Sequence, residues 1–332
     1  MSGQVSNGYI LFYVIGKIIT GCTNKIISKA QDNTIDHFTG RHFFHPFVQT
    51  FTMFIGEFAC LLVFLSLSRW SASFKKGLES SKAAARKKGV TKDVPLFVPM
   101  IPTLCDITGT TFSYAALTFM TASVASMMTG AIPVFTAILS VTFLKRKLNK
   151  QHIVGVFLVT VGVTLVGLSH FLNATSEGSD PSLGLILKVI SLLLSAVQFT
   201  VEEMIVNHGF IHPLKMVGFE GFWGLIFSFI TMMLASQVPC DTNASYCNLG
   251  RLENPGNAWY DIKHDSALML YFMAGILSLA LFNFFGMSVT KHLSSLTRAV
   301  VGVLSQVLVW AYDMAVFGTA FNWIQATGFA FT

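Results

Sequence analysis

The sequence predicts an all-α integral membrane protein. The expected architecture is a ten-helix bundle, its tenth helix truncated, built from two inverted five-helix repeats. Three observations predict it: nine apolar windows of spanning length, connecting loops that alternate in charge, and a shift of 173 residues that lays part of the chain on itself. Apolar residues make up 53% of the chain and charged residues 11%. Soluble domains carry roughly 25% charged residues, so this chain lacks the charge to clothe a water-facing surface.

A spanning helix needs roughly 20 apolar residues. Windows that meet this run over 8–29, 46–69, 94–118, 122–144, 152–172, 182–205, 215–237, 266–290 and 294–317. They are unbroken runs of helical length, without the alternating ten-residue segments of a barrel. Residues 1–8 lack a basic region and a small-residue cleavage site, so span one reads as an uncleaved helix. Phe321–Thr332 begins like a tenth span and stops. About a dozen residues at 1.5 Å each fall short of a ~30 Å hydrocarbon core. The native C-terminus is therefore expected to continue beyond Thr332, the alternative being a half-buried stub.

The loops set the orientation. The stretch 70–93 after span two holds Lys75, Lys76, Lys82, Arg86, Lys87, Lys88 and Lys92, and the loop after span four holds Lys145, Arg146, Lys147 and Lys150. The loops after spans three, five and nine hold no Lys or Arg, and Arg41 after span one is a mild exception. Basic loops face the cytosol, which places the N-terminus there too. The net charge of +6 comes largely from these loops and speaks for headgroup contact, with no nucleic acid as partner. Two sequons, Asn173-Ala174-Thr175 and Asn243-Ala244-Ser245, fall in loops the charge rule places outside the cytosol. Cys240 and Cys247 share the long loop 238–265 with Asn243. Two readings stand for them, a small disulfide in an oxidising lumen or two free thiols. Cys22, Cys60 and Cys105 lie inside spans as packing residues, and no Cys/His spacing suggests a metal site.

Under the 173-residue shift Phe112 meets Phe285, Thr121 meets Ser294, Val134 meets Val307, Asn149 meets Asn322 and Gly155 meets Gly328. The hydropathy matches without gaps. A five-span unit repeated once inserts with opposite topology in its two copies, here 1–172 and 182–332. Inverted repeats of this kind are common in secondary transporters, with the substrate near mid-membrane.

Certain residues carry a family resemblance. The run from Tyr114 to Thr136, followed by Leu144-Lys145-Arg146-Lys147-Leu148, resembles the drug/metabolite transporter superfamily, as does Ser288 to Arg298. Gly56-Glu57-Phe58, Leu104 to Gly109, Gln198 to Glu203, His212-Pro213 and Gly218-Phe219-Glu220-Gly221 resemble solute carrier family 35, subfamily F. The resemblance covers nearly the whole chain. It implies ten helices and an EamA-like pair of repeats. A further reading, a membrane enzyme, finds no nucleophile–base pair, metal set or phosphate loop in the sequence, so neither enzyme activity nor a cofactor is expected. The resemblance also implies transport of an organic solute by alternating access, in the manner of nucleotide-sugar transporters, with a homodimer plausible by analogy. Golgi, ER, lysosomal and mitochondrial membranes all suit the family. Its pattern places an arginine where this chain has Thr129, and an aspartate and an arginine near Gly302 and Ser305. Losing one buried charge strands its partner, so the changes read as a joint loss. That leaves a second reading open: a transporter-like subunit of a larger membrane complex.

Ionisable groups inside spans cost at least ~2.5–3.5 kcal/mol each. Lys17 sits mid-span one, with Gly21, Asn24 and Ser28 on the same face; Glu57 is mid-span two and Asp106 mid-span three. Either they line a charged cavity, with Lys17 attracting an anion, or they form a structural ion pair. Tyr114, Thr129, Asn283 and Gln306 are further polar residues able to line the route or to bond between helices. Glu202, Glu203 and Glu220 lie toward the cytosolic ends of spans six and seven, and Lys291 and Arg298 flank span nine. A cytosolic gate and simple snorkelling are both open for these charges. Lys188, nearer the opposite end of span six, is expected to snorkel.

Overall fold

The computed structural model describes residues 7–87, 89–117, 119, 125, 128–146, 153–158, 160–162, 181–241 and 247–317. Asn173, Asn243 and Phe321–Thr332 lie outside the described residues. The helices are α1 (Asn7–Asp32), α2 (Pro46–Trp70), α3 (Ala72–Lys87), α4 (Met100–Leu117), a 3-10 turn Thr129–Ala131 continuing as α5 (Ile132–Thr142), α6 (Pro181–His208), α7 (Pro213–Ala235), α8 (Pro255–His264), α9 (Ser266–His292) and α10 (Ser295–Phe317). The described residues contain isolated β-bridges and no extended strand. Five helices, at Gly8–Asp32, Pro46–Trp70, Ser182–His208, Pro213–Ala235 and Ser266–His292, are long and apolar enough to cross a membrane. Many of their large apolar side chains are exposed, as lipid-facing positions must be, among them Phe12, Leu62, Leu65, Ile186, Phe229 and Leu277.

Two stretches expected as loops are helical. The segment 70–93 contains α3, and the segment 238–265 contains α8. Both have local causes. Ser71 breaks out of the helical conformation after α2, and its hydroxyl accepts from the Phe74 N–H at 3.3 Å, restarting the helix. Asn254 caps α8 by accepting from the Asn257 N–H at 3.3 Å, with Pro255 in the first helical position.

The chain forms two compact units, each assembled from two separate stretches. The first comprises 1–104 and 205–288, the second 105–204 and 289–332. In the first unit α2 packs between α7 and α9 through glycines. A Cβ on Gly218 would come 2.5 Å from Leu61 Cβ, one on Gly221 2.5 Å from the Glu57 carbonyl carbon, and one on Gly224 would fall on the Phe54 ring. On the opposite side, Gly56 faces the Ile276 carbonyl of α9. Small residues are the general device for close helix approach where lipid supplies no hydrophobic drive. α1 joins through Gly16, whose missing Cβ leaves room for the Phe285 ring. In the second unit Ala116, Ala125, Met128, Ala131 and Leu192 form the apolar core, backed by Ile132 and Phe135.

Gly221→Ala is expected to destabilise the first unit by about 3 kcal/mol, the upper part of the overpacking range, because backbone and not a flexible side chain stands in the way. Detergent-phase thermal unfolding would measure it, with Gly77→Ala as the control, since a Cβ there meets open space.

Candidate functional site

Polar groups collect along one face of α1. Lys17, Thr20, Asn24 and Gln31 recur at helical spacing, and each is at most 9% exposed. The Lys17 ammonium lies 3.8 Å from the centroid of the Phe282 ring of α9. A desolvated cation–π contact contributes about 2 kcal/mol, which offsets most of the ~2.5–3.5 kcal/mol cost of placing the charge mid-span. The next residue of α9, Asn283, donates to Glu57 at 2.5 Å. Lys17 and Glu57 therefore both meet consecutive residues of α9 within the first unit. Further along, the Ser278 hydroxyl donates to the Thr20 carbonyl at 3.4 Å, and Gln49 of α2 donates to Gln31 at 3.3 Å and to Asp32 at 3.0 Å. Asn24 stands in the middle of this stripe, 8% exposed, and neither its amide nitrogen nor its oxygen is hydrogen-bonded among the described residues. Burying an unsatisfied amide costs about 1–3 kcal/mol, so the position suits a group that arrives from elsewhere.

The structure places Asp106 in the second unit, among Gln198, Thr110, Glu202 and Arg298, with hydrogen bonds to the first two. Arg298 pairs with Glu202, both buried, and its guanidinium stacks 4.2 Å from the Phe199 ring centroid. Glu203 accepts from the Ser295 backbone N–H at 2.8 Å and from its hydroxyl at 2.5 Å, which fixes the start of α10. Arg146 completes that contact at 2.5 Å. Among the expected gate residues the structure thus joins Glu202 to Arg298, while Glu203 meets Ser295 and Arg146. Glu220 is buried in the first unit, and Lys291 is half-buried near the end of α9. Tyr114 and Gln306 are half-buried on α4 and α10. The Thr129 hydroxyl donates back to the Ala125 carbonyl at 3.1 Å. Lys188 corrects the expectation of snorkelling: it is 6% exposed and donates to Ser113 at 2.9 Å.

A further polar cluster lies outside the spans, where α1 ends and α2 begins. The buried His45 ring bonds Glu253 at 2.5 Å through Nδ1 and Asp36 at 3.3 Å through Nε2. Asp36 also accepts from the Phe38 and Thr39 backbone N–H groups at 2.7 and 2.8 Å, closing the turn after α1. Glu253 accepts from Phe47 in the first turn of α2 at 3.1 Å, so its carboxylate faces the positive end of that helix. Next to it, Cys240 and Cys247 are joined in a disulfide, and Asn248 donates to the Phe44 carbonyl at 2.9 Å. Nearby, Asp261 of α8 accepts from the His37 N–H at 3.3 Å. Sequence reasoning missed this cluster because its halves are distant in sequence, His45 standing 208 positions from Glu253 and His37 224 from Asp261; only His45-Pro46 and Asn254-Pro255, both helix-start signals, mark it.

Burial alone would lower the His45 pKa, but hydrogen bonds and charge from Asp36 and Glu253 raise it from its ordinary 6.5 to about 9. Burial would raise Asp36, and the His45 and backbone hydrogen bonds outweigh it, holding the carboxyl at about 2 against an ordinary 3.8. A raised histidine pKa stabilises fully below 6.5 and is lost as pH climbs through about 9; a depressed carboxyl stabilises above 3.8 and is lost as pH falls through about 2. The melting temperature of the wild type relative to His45→Gln is therefore expected to be flat from about pH 4 to 6.5 and to fall from there to pH 9. A difference that peaked above pH 8 would contradict the assignment.

Buried ionisable side chains within apolar spans, arranged around close-packed helices, define a multi-pass membrane protein with polar groups at membrane depth. Such groups mark solute and ion pathways, proton relays or structural ion pairs. The comparisons name the family. Residues 38–168 match the EamA-like transporter family. Solute carrier family 35 member F6 of Mus musculus is 33% identical over 97% of this chain and 86% of its own length. The Homo sapiens protein of that name is 31% identical over the same shares. An uncharacterized protein of Schizosaccharomyces pombe is 28% identical over 94% of this chain and 91% of its own. A solved crystal structure, 15% identical over 98% of this chain and 94% of its own, superposes with a TM-score of 0.56 and shares the fold. The chain belongs to solute carrier family 35, among the EamA-like transporters.

Proposed function

We propose that the chain is a secondary transporter moving an organic solute, anionic or nucleotide-linked, by alternating access. The architecture proposed with it is ten helices in two inverted five-helix repeats, 1–172 and 182–332, with Phe321–Thr332 opening the tenth. The N-terminus and basic loops face the cytosol, and the His45 cluster and Cys240–Cys247 face the lumen of an endomembrane. The observation that carries the reading is the buried stripe on α1, where the Lys17 charge and the unsatisfied Asn24 amide offer a cation and two hydrogen-bonding atoms to an incoming anion. Glu57 and Asn283 in the first unit, and Asp106, Tyr114, Thr129 and Gln306 in the second, are the further residues proposed to contact the solute. The test is uptake or exchange by the purified protein in liposomes, against a panel of nucleotide sugars, nucleotides and organic anions. Substrate-dependent flux is expected; none across the panel would overturn the reading.

One observation favours a second reading, a transport-degenerate subunit of a membrane complex. Where the family pattern has charges, Thr129 and Ser305 bond their own helical backbones, and a Cβ at Gly302 would meet open space. Native electrophoresis from mild detergent separates the readings, because migration at the mass of the monomer or homodimer alone would contradict a complex.

A further inference from the structure

The corner between α2 and α3 includes none of the residues proposed for the solute route and has the makings of a separate site. α2 ends at Trp70, the chain turns at Ser71, and α3 leaves with its N-terminal N–H groups at the bend. The two helices enclose an open groove of about 760 Å³ lined by Leu65, Ser68, Arg69, Trp70 and Lys75. One wall is apolar and belongs to the end of a span: Leu65 is half exposed and Trp70 is 81% exposed. The other carries the Arg69 and Lys75 cations.

α3 is held in place, so the groove is a fixed feature. Phe74 packs 5.9 Å from the Phe64 ring and 5.3 Å from the His212 ring. Lys82 bonds Asp93 at 2.5 Å and lies 5.8 Å from the Phe210 ring. No residue of α3 is fully buried. Its half-buried residues, Phe74, Leu78, Lys82 and Ala85, form one stripe, which leaves Lys75, Lys76, Arg86 and Lys87 exposed beside the single acid Glu79. A free amphipathic helix would search for a surface; this one is docked by its apolar stripe and presents its cations.

We propose that this corner binds the headgroup of an anionic phospholipid. Arg69 and Lys75, the two cations of the lining, pair with the phosphate. Trp70 lies at the boundary between headgroup and acyl chain, the depth where indole rings concentrate. The occupant is a lipid and not a soluble anion, because the exposed Leu65 and Trp70 of its lining stand at the end of a span. The positive-inside reading puts the corner at the cytosolic leaflet, where anionic lipids are enriched and basic clusters next to a span attract them.

Native mass spectrometry of the full chain, with phosphatidylinositol 4-phosphate, phosphatidylserine or phosphatidylcholine added in turn, tests the assignment. The wild type is expected to retain both anionic lipids at lower concentration than phosphatidylcholine. The Arg69→Ala/Lys75→Ala double variant should lose about 25-fold of that preference, as two cations at a charged surface predict. Lys76→Ala/Lys87→Ala, outside the groove, should lose less. Equal retention of all three lipids by the wild type, or a preference unchanged in the double variant, would overturn the proposal. Competition by soluble inositol phosphate as potent as the lipid would assign the groove to a soluble anion and overturn the lipid. Both sites of substitution are exposed, and wild-type discrimination and the competition decide the matter even if the double variant folds poorly.

Discussion

Replacing Lys17 with methionine is expected to lower solute flux roughly 10- to 100-fold while leaving the thermal stability of the protein unchanged or slightly higher. The flux estimate follows from losing one charge-assisted hydrogen bond to an anion, about 1.5–3 kcal/mol. The stability estimate follows from a near balance at the same residue. Holding the ammonium mid-span costs about 2.5–3.5 kcal/mol, and the Phe282 ring at 3.8 Å returns about 2 kcal/mol. Methionine keeps the length and apolar stem of the side chain, so packing against α9 survives the change. The split between the two readouts is what matters. Flux lost with stability intact means the charge serves the solute. Stability lost with flux intact would mean that Lys17 is a structural counter-charge, and the route must then be sought elsewhere. Lys17→Arg is expected not to rescue, since a wider planar group must displace the Phe282 ring that now covers the ammonium. Asn24→Leu gives an independent check on the same stripe. Replacing an unsatisfied buried amide by an apolar group of similar size should stabilise the protein by about 1 kcal/mol and reduce flux.

The five helices long and apolar enough to span were legible because hydropathy summed over some twenty residues is a strong signal, and a helix in lipid satisfies its own backbone whatever its neighbours are. α3 and α8 were not. α3 has few apolar residues, and its stripe of Phe74, Leu78 and Ala85 means little until Phe64 and His212 supply the surface it lies on. Charges in apolar windows single out Lys17, Glu57 and Asp106, and all three stand at polar clusters in the structure. Their partners could not be read. Glu57 meets Asn283 across 226 positions and His45 meets Glu253 across 208, and neither separation leaves a local trace. The glycines are an intermediate case. Gly218, Gly221 and Gly224 recur at a helical interval, but that spacing alone cannot show that the facing surface is the backbone of α2.

In the second unit, Arg298→Met is expected to destabilise by about 3–5 kcal/mol, more than Glu202→Gln. The asymmetry comes from the local charge count. Arg298 pairs with Glu202 and also faces Asp106, so one buried guanidinium serves two carboxylates. Removing the guanidinium leaves both acids without their cation. Removing Glu202 leaves Arg298 with Asp106, and the Gln198 and Thr110 hydrogen bonds to Asp106 persist. Arg298 also stacks on Phe199 at 4.2 Å, a contact that only the arginine variant loses. A double-mutant cycle over Glu202→Gln and Arg298→Met, read by thermal unfolding in detergent, should give a coupling of about 1–3 kcal/mol. Adding Asp106→Asn to Arg298→Met should restore part of the loss, because it removes one of the two stranded charges. The Glu203–Ser295 contact lies one residue along α6 and pins the start of α10, so Glu203→Gln is the comparison: it weakens a helix cap and the pair with the exposed Arg146 without changing the Arg298 charge balance, and should cost about 1–2 kcal/mol. If Arg298→Met and Glu203→Gln cost the same, the arginine is not the counter-ion of the cluster. The pairing of Glu202 with Arg298 would then be incidental to the stability of the unit.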